Sequence, residues 1–358
     1  MSSKDTSEKQ KNAPSILIDA SIYIFQYYFS LPDHWYSKKD SWPTAAVYGY
    51  TAFLVRLLEQ QLSKQNYLKH GFSKQSLSKQ SNSTTKRHIT KRYIAACFDE
   101  SLASCFRNKI YPEYKCSRAL PDEALAFQLK SCRRVTGLLG IKTYGSKTHE
   151  ADDLLGSLYQ PLVRTRKPIA ILTRDKDLAQ LLRRPQDFLW DYSASSKTSK
   201  AKQVGDDACD DSAEQIGVRH FQKDIEDKFG VAASQLIDYL ALVGDSIDDI
   251  PGVPGVGPKT AQALLSHFGD VDSLFNDLQQ VATLPVRGAK KLAEKLHLFR
   301  DQIAIAQQLA TITDNIDLGV GLKDINWRPN SIEYDHIEDF CHRMGFPRLF
   351  SRMEKVFS

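Results

Sequence analysis

GDSIDDIPGVPGVGPKTAQALL, residues 244–265, is the stretch from which the rest of the chain is read. Two signals are packed into it. Asp245 and Asp248 lie three residues apart, a spacing that on a helix end aims both carboxylates the same way. A turn follows in which Gly252, Val253, Gly255, Val256 and Gly257 alternate with Pro251, Pro254 and Pro258, and a helix opens at Lys259 and Thr260. Glycine lets a backbone approach another molecule closely, proline fixes bends, and a helix start presents unpaired N–H groups suited to an anion. Lys259 stands in the first helical turn, where a helix otherwise favours an acid; an anion bound there accounts for it.

The chain is long enough, at 358 residues, for a large core and two or three domains. Its 42% hydrophobic and 25% charged content is that of a soluble globular protein, and a formal net charge of +5 is mildly basic. Six cysteines with no CxxC pair exclude a zinc framework and a disulfide scaffold, so a reducing cytoplasm is expected. Residues 1–14 carry no apolar leader and are read as a disordered tail; no run reaches membrane-spanning length.

Short apolar strand runs at 15–18, 93–98, 141–144, 168–172 and 188–192 alternate with helical periodicity at 45–62, 122–139 and 150–158. From 216 onward the pattern is almost wholly helical, with runs at 221–229, 233–243, 259–268, 271–278 and 289–313. The expected architecture is α/β: a mostly parallel sheet domain over 15–192, then an all-α domain over 216–358. Two stretches interrupt it. Residues 63–92 form a basic insertion with repeated Ser-Lys-Gln and no acid, and 193–215 a polar loop or linker. Residues 101–120 break the alternation with a basic, aromatic segment carrying Arg107, Tyr114, Lys115 and Arg118.

Asp19, Asp99, Asp175 and Asp177 each follow an apolar strand run, and Glu150, Asp152 and Asp153 open the helix after another. The carboxyl ends of strands in an open α/β sheet form its ligand crevice, so these acids are brought together. A single aspartate after a strand ordinarily caps a helix or shapes a turn, and Asp153 or Asp177 alone fits that. Acids after four strand runs, joined by Asp245 and Asp248, do not. Crowded carboxylates repel unless cations neutralise them, and an all-oxygen donor set without His or Cys selects Mg²⁺ or Mn²⁺. Two such ions beside a phosphate site imply metal-assisted phosphodiester hydrolysis. Cations and rings in 106–118 suit a single strand held without sequence reading, and a lysine there can stabilise transition-state charge.

These residues resemble one family. LIDAS (17–21), AVYGY (46–50), FDE (98–100), FRNKIYPEYKCSR (106–118), EADD (150–153), TRDKDLAQLL (173–182) and the opening stretch occur in the order found in 5′-nucleases of the bacterial DNA polymerase I 5′→3′ exonuclease and flap endonuclease group. The resemblance covers residues 15–353, except about 63–92 and 193–215. It implies a PIN-like (resolvase-like) sheet with a helical arch at 101–120, then a helix–three-turn–helix at about 234–268. It also implies one metal site from Asp19, Asp99, Glu150 and Asp152, and a second from Asp153, Asp175, Asp177, Asp245 and Asp248. Lys115 and Arg118 become catalytic. Arg107, Tyr114, Gly252, Val253, Gly255, Val256, Gly257, Lys259 and Thr260 become DNA contacts, with K⁺ at the 251–258 turn. Ala20, Arg174 and Asp249 depart from the usual Gly, Gly and Asn, and none removes a ligand.

The expectation is therefore a stand-alone, cytoplasmic, nucleoid-associated monomer that uses two Mg²⁺, replaceable by Mn²⁺, without membrane attachment. It would cut 5′ flaps, nicked or gapped duplexes and single-stranded 5′ ends, with RNA primers among its substrates, in replication and repair. The rival readings are a non-catalytic branched-DNA-binding protein and an RNA-cutting relative.

Overall fold

The computed structural model describes residues 13–70, 91–101, 104–192 and 217–357. The expectations placed on 1–12 and 193–216, and on most of 63–92, lie outside the described residues. Seven strands form the sheet: β1 (Ser15–Asp19), β2 (Arg92–Asp99), β3 (Lys142–Ser146), β4 (Ile169–Leu172), β5 (Phe188–Asp191), β6 (Val218–His220) and β7 (Asn326–Trp327). Thirteen α-helices accompany them among the described residues. Those in the first half are α1 (Ala20–Ser30), α2 (Ala45–His70), α3 (Arg107–Ile110), α4 (Glu123–Leu138) and α5 (Ala151–Val163). The second half holds α6 (Gln222–Phe229), α7 (Leu236–Val243), α8 (Pro258–Phe268), α9 (Val271–Asn276), α10 (Ala289–Leu298), α11 (Arg300–Ala310), α12 (Tyr334–Arg343) and α13 (Pro347–Phe357).

Strand order is β3-β2-β1-β4-β5-β6, parallel through β5, with β6 antiparallel to β5 and β7 antiparallel to β2. Every residue of β1 is buried, because a central parallel strand is covered on both faces. On one face Leu17, Ala95 and Ile171 pack beneath α5, and that core runs on into Leu240, Leu264 and Leu309 of the helical half. On the other, Ile16, Ile18 and Ala96 pack under Tyr23, Leu54 and Val135 of α1, α2 and α4. The order turns between β1 and its neighbours β2 and β4, which places the crevice above Asp19.

Three expectations change. A division of the chain at 216 is crossed by its end. Trp327, Phe340 and Met353 need an apolar partner and find it on the first half, in the same core as Leu54 and Val135. The run 289–313 is two helices, because backbone φ −97° and ψ 15° at Phe299 separate α10 from α11. Among its described residues the 101–120 segment holds a single helical turn, α3, followed by turns at 112–117. Most of its backbone bonds are local, and two tie it to the 248–249 loop: Lys115 N–H donates to the Asp248 carbonyl at 3.1 Å and Ser117 N–H to Asp249 Oδ2 at 2.9 Å.

Candidate active site

The acids of β1, β2 and β4 are held by short local bonds at the carboxyl edge of the sheet. Thr173, just past β4, donates its hydroxyl to Asp19 Oδ2 at 2.9 Å and accepts the Asp175 N–H at 2.9 Å. Asp175 Oδ1 accepts the Asp177 N–H at 2.9 Å, so the TRDKD turn is built from its own side chains. Asp99 Oδ1 accepts the Ala151 N–H at 2.8 Å, bringing the start of α5 against the end of β2. Burial, Asp99 and Asp175 push the Asp19 carboxyl up to about 8 against the pull of the Thr173 bond. Burial and Asp175 push Asp177 to about 7. Asp152 is raised well above the ordinary range by burial, then by Asp175, Asp19 and Asp99. These acids therefore share one field although they come from distant parts of the chain.

Asp245 and Asp248 do not extend a helix. Helix α7 stops at Val243, Gly244 turns the chain at φ +82°, and residues 245–250 close a loop through reciprocal Asp245–Ile250 bonds of 2.9 and 2.8 Å. Lys176 Nζ reaches Asp245 at 2.7 Å; Arg118 reaches Asp248 at 2.5 Å and Lys115 reaches it at 3.4 Å. Lys115 Nζ also lies 2.8 Å from Glu150 Oε1. Burial works against the Lys115 charge, but Glu150, Tyr114 and Asp248 outweigh it and raise its pKa. Lys115 and Asp249 have φ +53° and +54°. This left-handed backbone suits aspartate better than most residues, so Asp249 in place of Asn keeps the turn.

Three candidates take other roles. Asp153, expected as a metal ligand, is fully buried and saturated. Its oxygens accept from Arg107 twice at 2.7 Å, from Glu150 N–H at 3.0 Å and from Thr313 N–H at 2.8 Å, which uses the acceptor capacity of a carboxylate. Arg107, expected on DNA, is 2% exposed in that ion pair. Tyr114, expected beside it on DNA, is 3% exposed, with its hydroxyl donating to Glu150 Oε2 at 3.0 Å.

The glycine turn divides similarly. Val253 and Val256 are buried, and their N–H groups already donate to Leu242 O and Val253 O at 2.9 Å. Gly252 sits against the Val243 backbone, and Thr260 N–H bonds Gly257 O at 3.0 Å. Among the described residues the N–H groups of Gly255 and Gly257 donate to no protein acceptor, and Lys259 beside them is exposed. Sequence reasoning passed over Lys176, although it stands between two acids, and the apolar wall of the site. A cavity of about 960 Å³ is lined by Phe25, Phe29 and Leu120 together with Asp99, Glu150 and Lys115. The aromatic run in α1 was the available signal.

As the side chains stand, no three carboxylates among the described residues close on a single point; Lys115, Arg118 and Lys176 satisfy several of them. The donor set nevertheless fits hard divalent cations. It is all carboxylate, Asp177 Oδ1 is buried with no partner, and burial, then neighbouring carboxylates, raise Asp19, Asp152 and Asp177.

A resolvase-like sheet gathering acids at its carboxyl edge, beside a helical half with a glycine turn, defines a nuclease. Residues 14–209 match the model of the 5′-3′ exonuclease N-terminal resolvase-like domain, and 231–333 that of the 5′-3′ exonuclease C-terminal SAM fold. The chain belongs to the 5′-3′ exonuclease family. It is 28% identical over 315 residues to a 5′-3′ exonuclease of Buchnera aphidicola subsp. Acyrthosiphon pisum, covering 88% of this chain and 92% of that protein. It is 32% identical over 310 residues to DNA polymerase I of Pseudomonas aeruginosa, covering 86% of this chain and 28% of that one. The fold is shared with T5 5′-exonuclease carrying zinc, at 15% identity and TM-score 0.53 over 97% of this chain and 100% of that one. It is shared too with the catalytic core of Rad2 in complex with DNA substrate, at 13% identity and TM-score 0.55 over 98% and 96%. No helix among the described residues is long and apolar enough to cross a membrane.

Proposed function

We propose that this protein is a divalent-metal-dependent, structure-selective 5′-nuclease that hydrolyses phosphodiester bonds at 5′ flaps and 5′ ends of DNA. The observation that carries this reading is the shared field of Asp19, Asp99, Asp152, Asp175 and Asp177 above the turn in strand order. The neighbours support it in kind, since T5 D15 flap endonuclease was crystallised with DNA and metal ions.

Asp19, Asp99, Glu150 and Asp152 would hold one cation and Asp175, Asp177, Asp245 and Asp248 the other, Mg²⁺ by donor hardness and Mn²⁺ as a substitute. When bound, the two ions supply an activated water and a sink for charge on the leaving oxygen. The chain's own residues do the rest. Lys115 and Arg118 leave Glu150 and Asp248 for the scissile phosphate and hold its developing charge. Phe25 and Phe29 offer the bases of a single strand an apolar wall. Gly255 and Gly257 N–H groups, with Lys259, grip duplex phosphate, and K⁺ can join them at the turn. Nicked and gapped duplexes and RNA primers fall within the same grip, in replication and repair by a cytoplasmic, nucleoid-associated monomer.

The test is a labelled 5′-flap duplex with Mg²⁺. Wild type should cut near the junction, and Asp175→Ala should bind the flap within several-fold but not cut. Tight binding by wild type without cleavage would favour a branched-DNA-binding protein. Wild-type turnover by D175A would remove Asp175 from the mechanism, and preference for structured RNA would move the substrate class.

A further inference from the structure

Arg107 is a buried cation, 2% exposed, and all five of its N–H donors are spent. Its Nη1 and Nη2 grip Asp153 at 2.7 Å each, and Nη1 lies 3.4 Å from Glu150 Oε2. Its Nε donates to Leu309 O at 2.9 Å and Nη2 to Thr311 O at 2.7 Å. Those carbonyls close α11, whose last turn has no N–H donors of its own to satisfy them. Phe106 covers the guanidinium, with Cζ 4.7 Å from the ring centroid.

Three segments therefore meet on one side chain: the basic segment, the start of α5 and the end of α11. The same helix end is braced a second time. Gln180, in the turn that Asp177 opens, donates to Ala310 O at 3.0 Å and accepts Ile312 N–H at 2.9 Å. Thr313 N–H adds its bond to Asp153. Two acid-bearing elements of the sheet half, the start of α5 and the turn that Asp177 opens, are thus pinned to one point on the helical half.

We infer that Arg107 is a positioning residue: it aims Glu150 into the site and fixes the start of α5 against the end of α11. Glu150 Oε1 faces Lys115, while Oε2 is held from behind by Tyr114 and Arg107. Tyr114 alone leaves the carboxylate free to swing; the guanidinium fork, locked by Asp153 and two carbonyls, does not. A lysine keeps the charge and loses the fork. The inference rests on Glu150 being an active-site carboxylate.

The experiment compares wild type, R107K, E150Q and R107K/E150Q, each assayed well below its melting temperature. Flap cleavage in single turnover, KM, flap Kd in EDTA and Mn²⁺ binding by calorimetry without DNA are measured. R107K should lose about 10–100-fold in kcat and weaken Mn²⁺ by a similar factor, as removal of a group that orients a ligand does. KM and the EDTA flap Kd should stay within about threefold, a split that mere loss of folded protein does not produce. In the E150Q background R107K should cost nothing further, since both act through one carboxylate. Should R107K melt below the assay temperature, R107M/D153L removes both charges together and goes through the same measurements. Wild-type kcat in folded R107K, losses that multiply with E150Q, or flap affinity falling in step with kcat would each overturn the inference. Wild-type cleavage by E150Q would instead overturn the role of Glu150, and the inference with it.

Discussion

Replacing Gly252 by alanine separates packing from phosphate binding within a single turn. A Cβ on Gly252 would lie 2.2 Å from the Val243 carbonyl oxygen and 2.5 Å from Gly244 N, where ordinary contact begins at 3.4 Å. These are backbone atoms, so no rotamer change relieves the clash, and the 244–252 loop must give by about 1 Å. Overpacking of this kind costs about 1–3 kcal/mol. The larger effect is on activity, because that loop carries Asp245 and Asp248 opposite Lys176 and Arg118. A displacement of about 1 Å in a reacting constellation costs about 100-fold in rate. Gly257→Ala is the contrast. Its Cβ meets nothing within 4 Å and its φ of −104° suits alanine, so the fold is untouched. What it loses is the close approach of a phosphate to the Gly257 N–H. Thermal melts, flap cleavage and duplex Kd against salt are the assays. G252A should melt lower and cut slowly with its salt slope intact; G257A should melt like wild type and bind duplex more weakly. A G252A protein with wild-type melting and wild-type rate would refute the packing argument.

Lys259→Ala should weaken duplex binding and reduce the salt slope by about one, the signature of one lost phosphate contact; titration from low to moderate salt checks it. The metal-free protein should lose stability as pH rises from about 4 to about 8. Asp19, near 8, and Asp177, near 7, keep protons in the fold that an unfolded carboxyl has released, so the native state binds more protons throughout that window. Melts in EDTA should show the decline, and Asp19→Asn should flatten its upper part. Since cations bind the ionised acids, Mg²⁺ should raise the melting temperature more at pH 8.5 than at pH 6; equal shifts at both would contradict this. Tyr114→Phe removes one of two donors to Glu150 Oε2 and should slow single-turnover cleavage several-fold while EDTA flap affinity holds.

How far each role was legible depends on where its physical cause lies. The strand runs read from 15 to 192 correspond to β1–β5, and in β1, β2, β4 and β5 burial of a parallel sheet on both faces writes itself as continuous apolar stretches. Two short antiparallel strands, β6 and β7, were not legible: two or three residues carry no period. Asp19, Asp99 and Asp175 stood out because each ends an apolar run, and sheet topology brings such ends together whatever the details.

Asp153 shows the limit. In sequence it is one more acid in EADD, indistinguishable from Asp152 beside it. One step of 100° around a helix turns Asp152 toward the other carboxylates and Asp153 into the interior, where Arg107 and Thr313 wait. Val253 and Gly252 were likewise read as surface because glycine and proline surround them, whereas the bond to Leu242 goes with a buried Val253 and Gly252 is pressed against the Val243 backbone. Residue type and order thus determined the fold class, the family and the pool of acids, all of which follow from local pattern. Which acid faces the site and which is spent on an arginine was decided by the tertiary structure, since a carboxylate's partners come from segments over a hundred residues away.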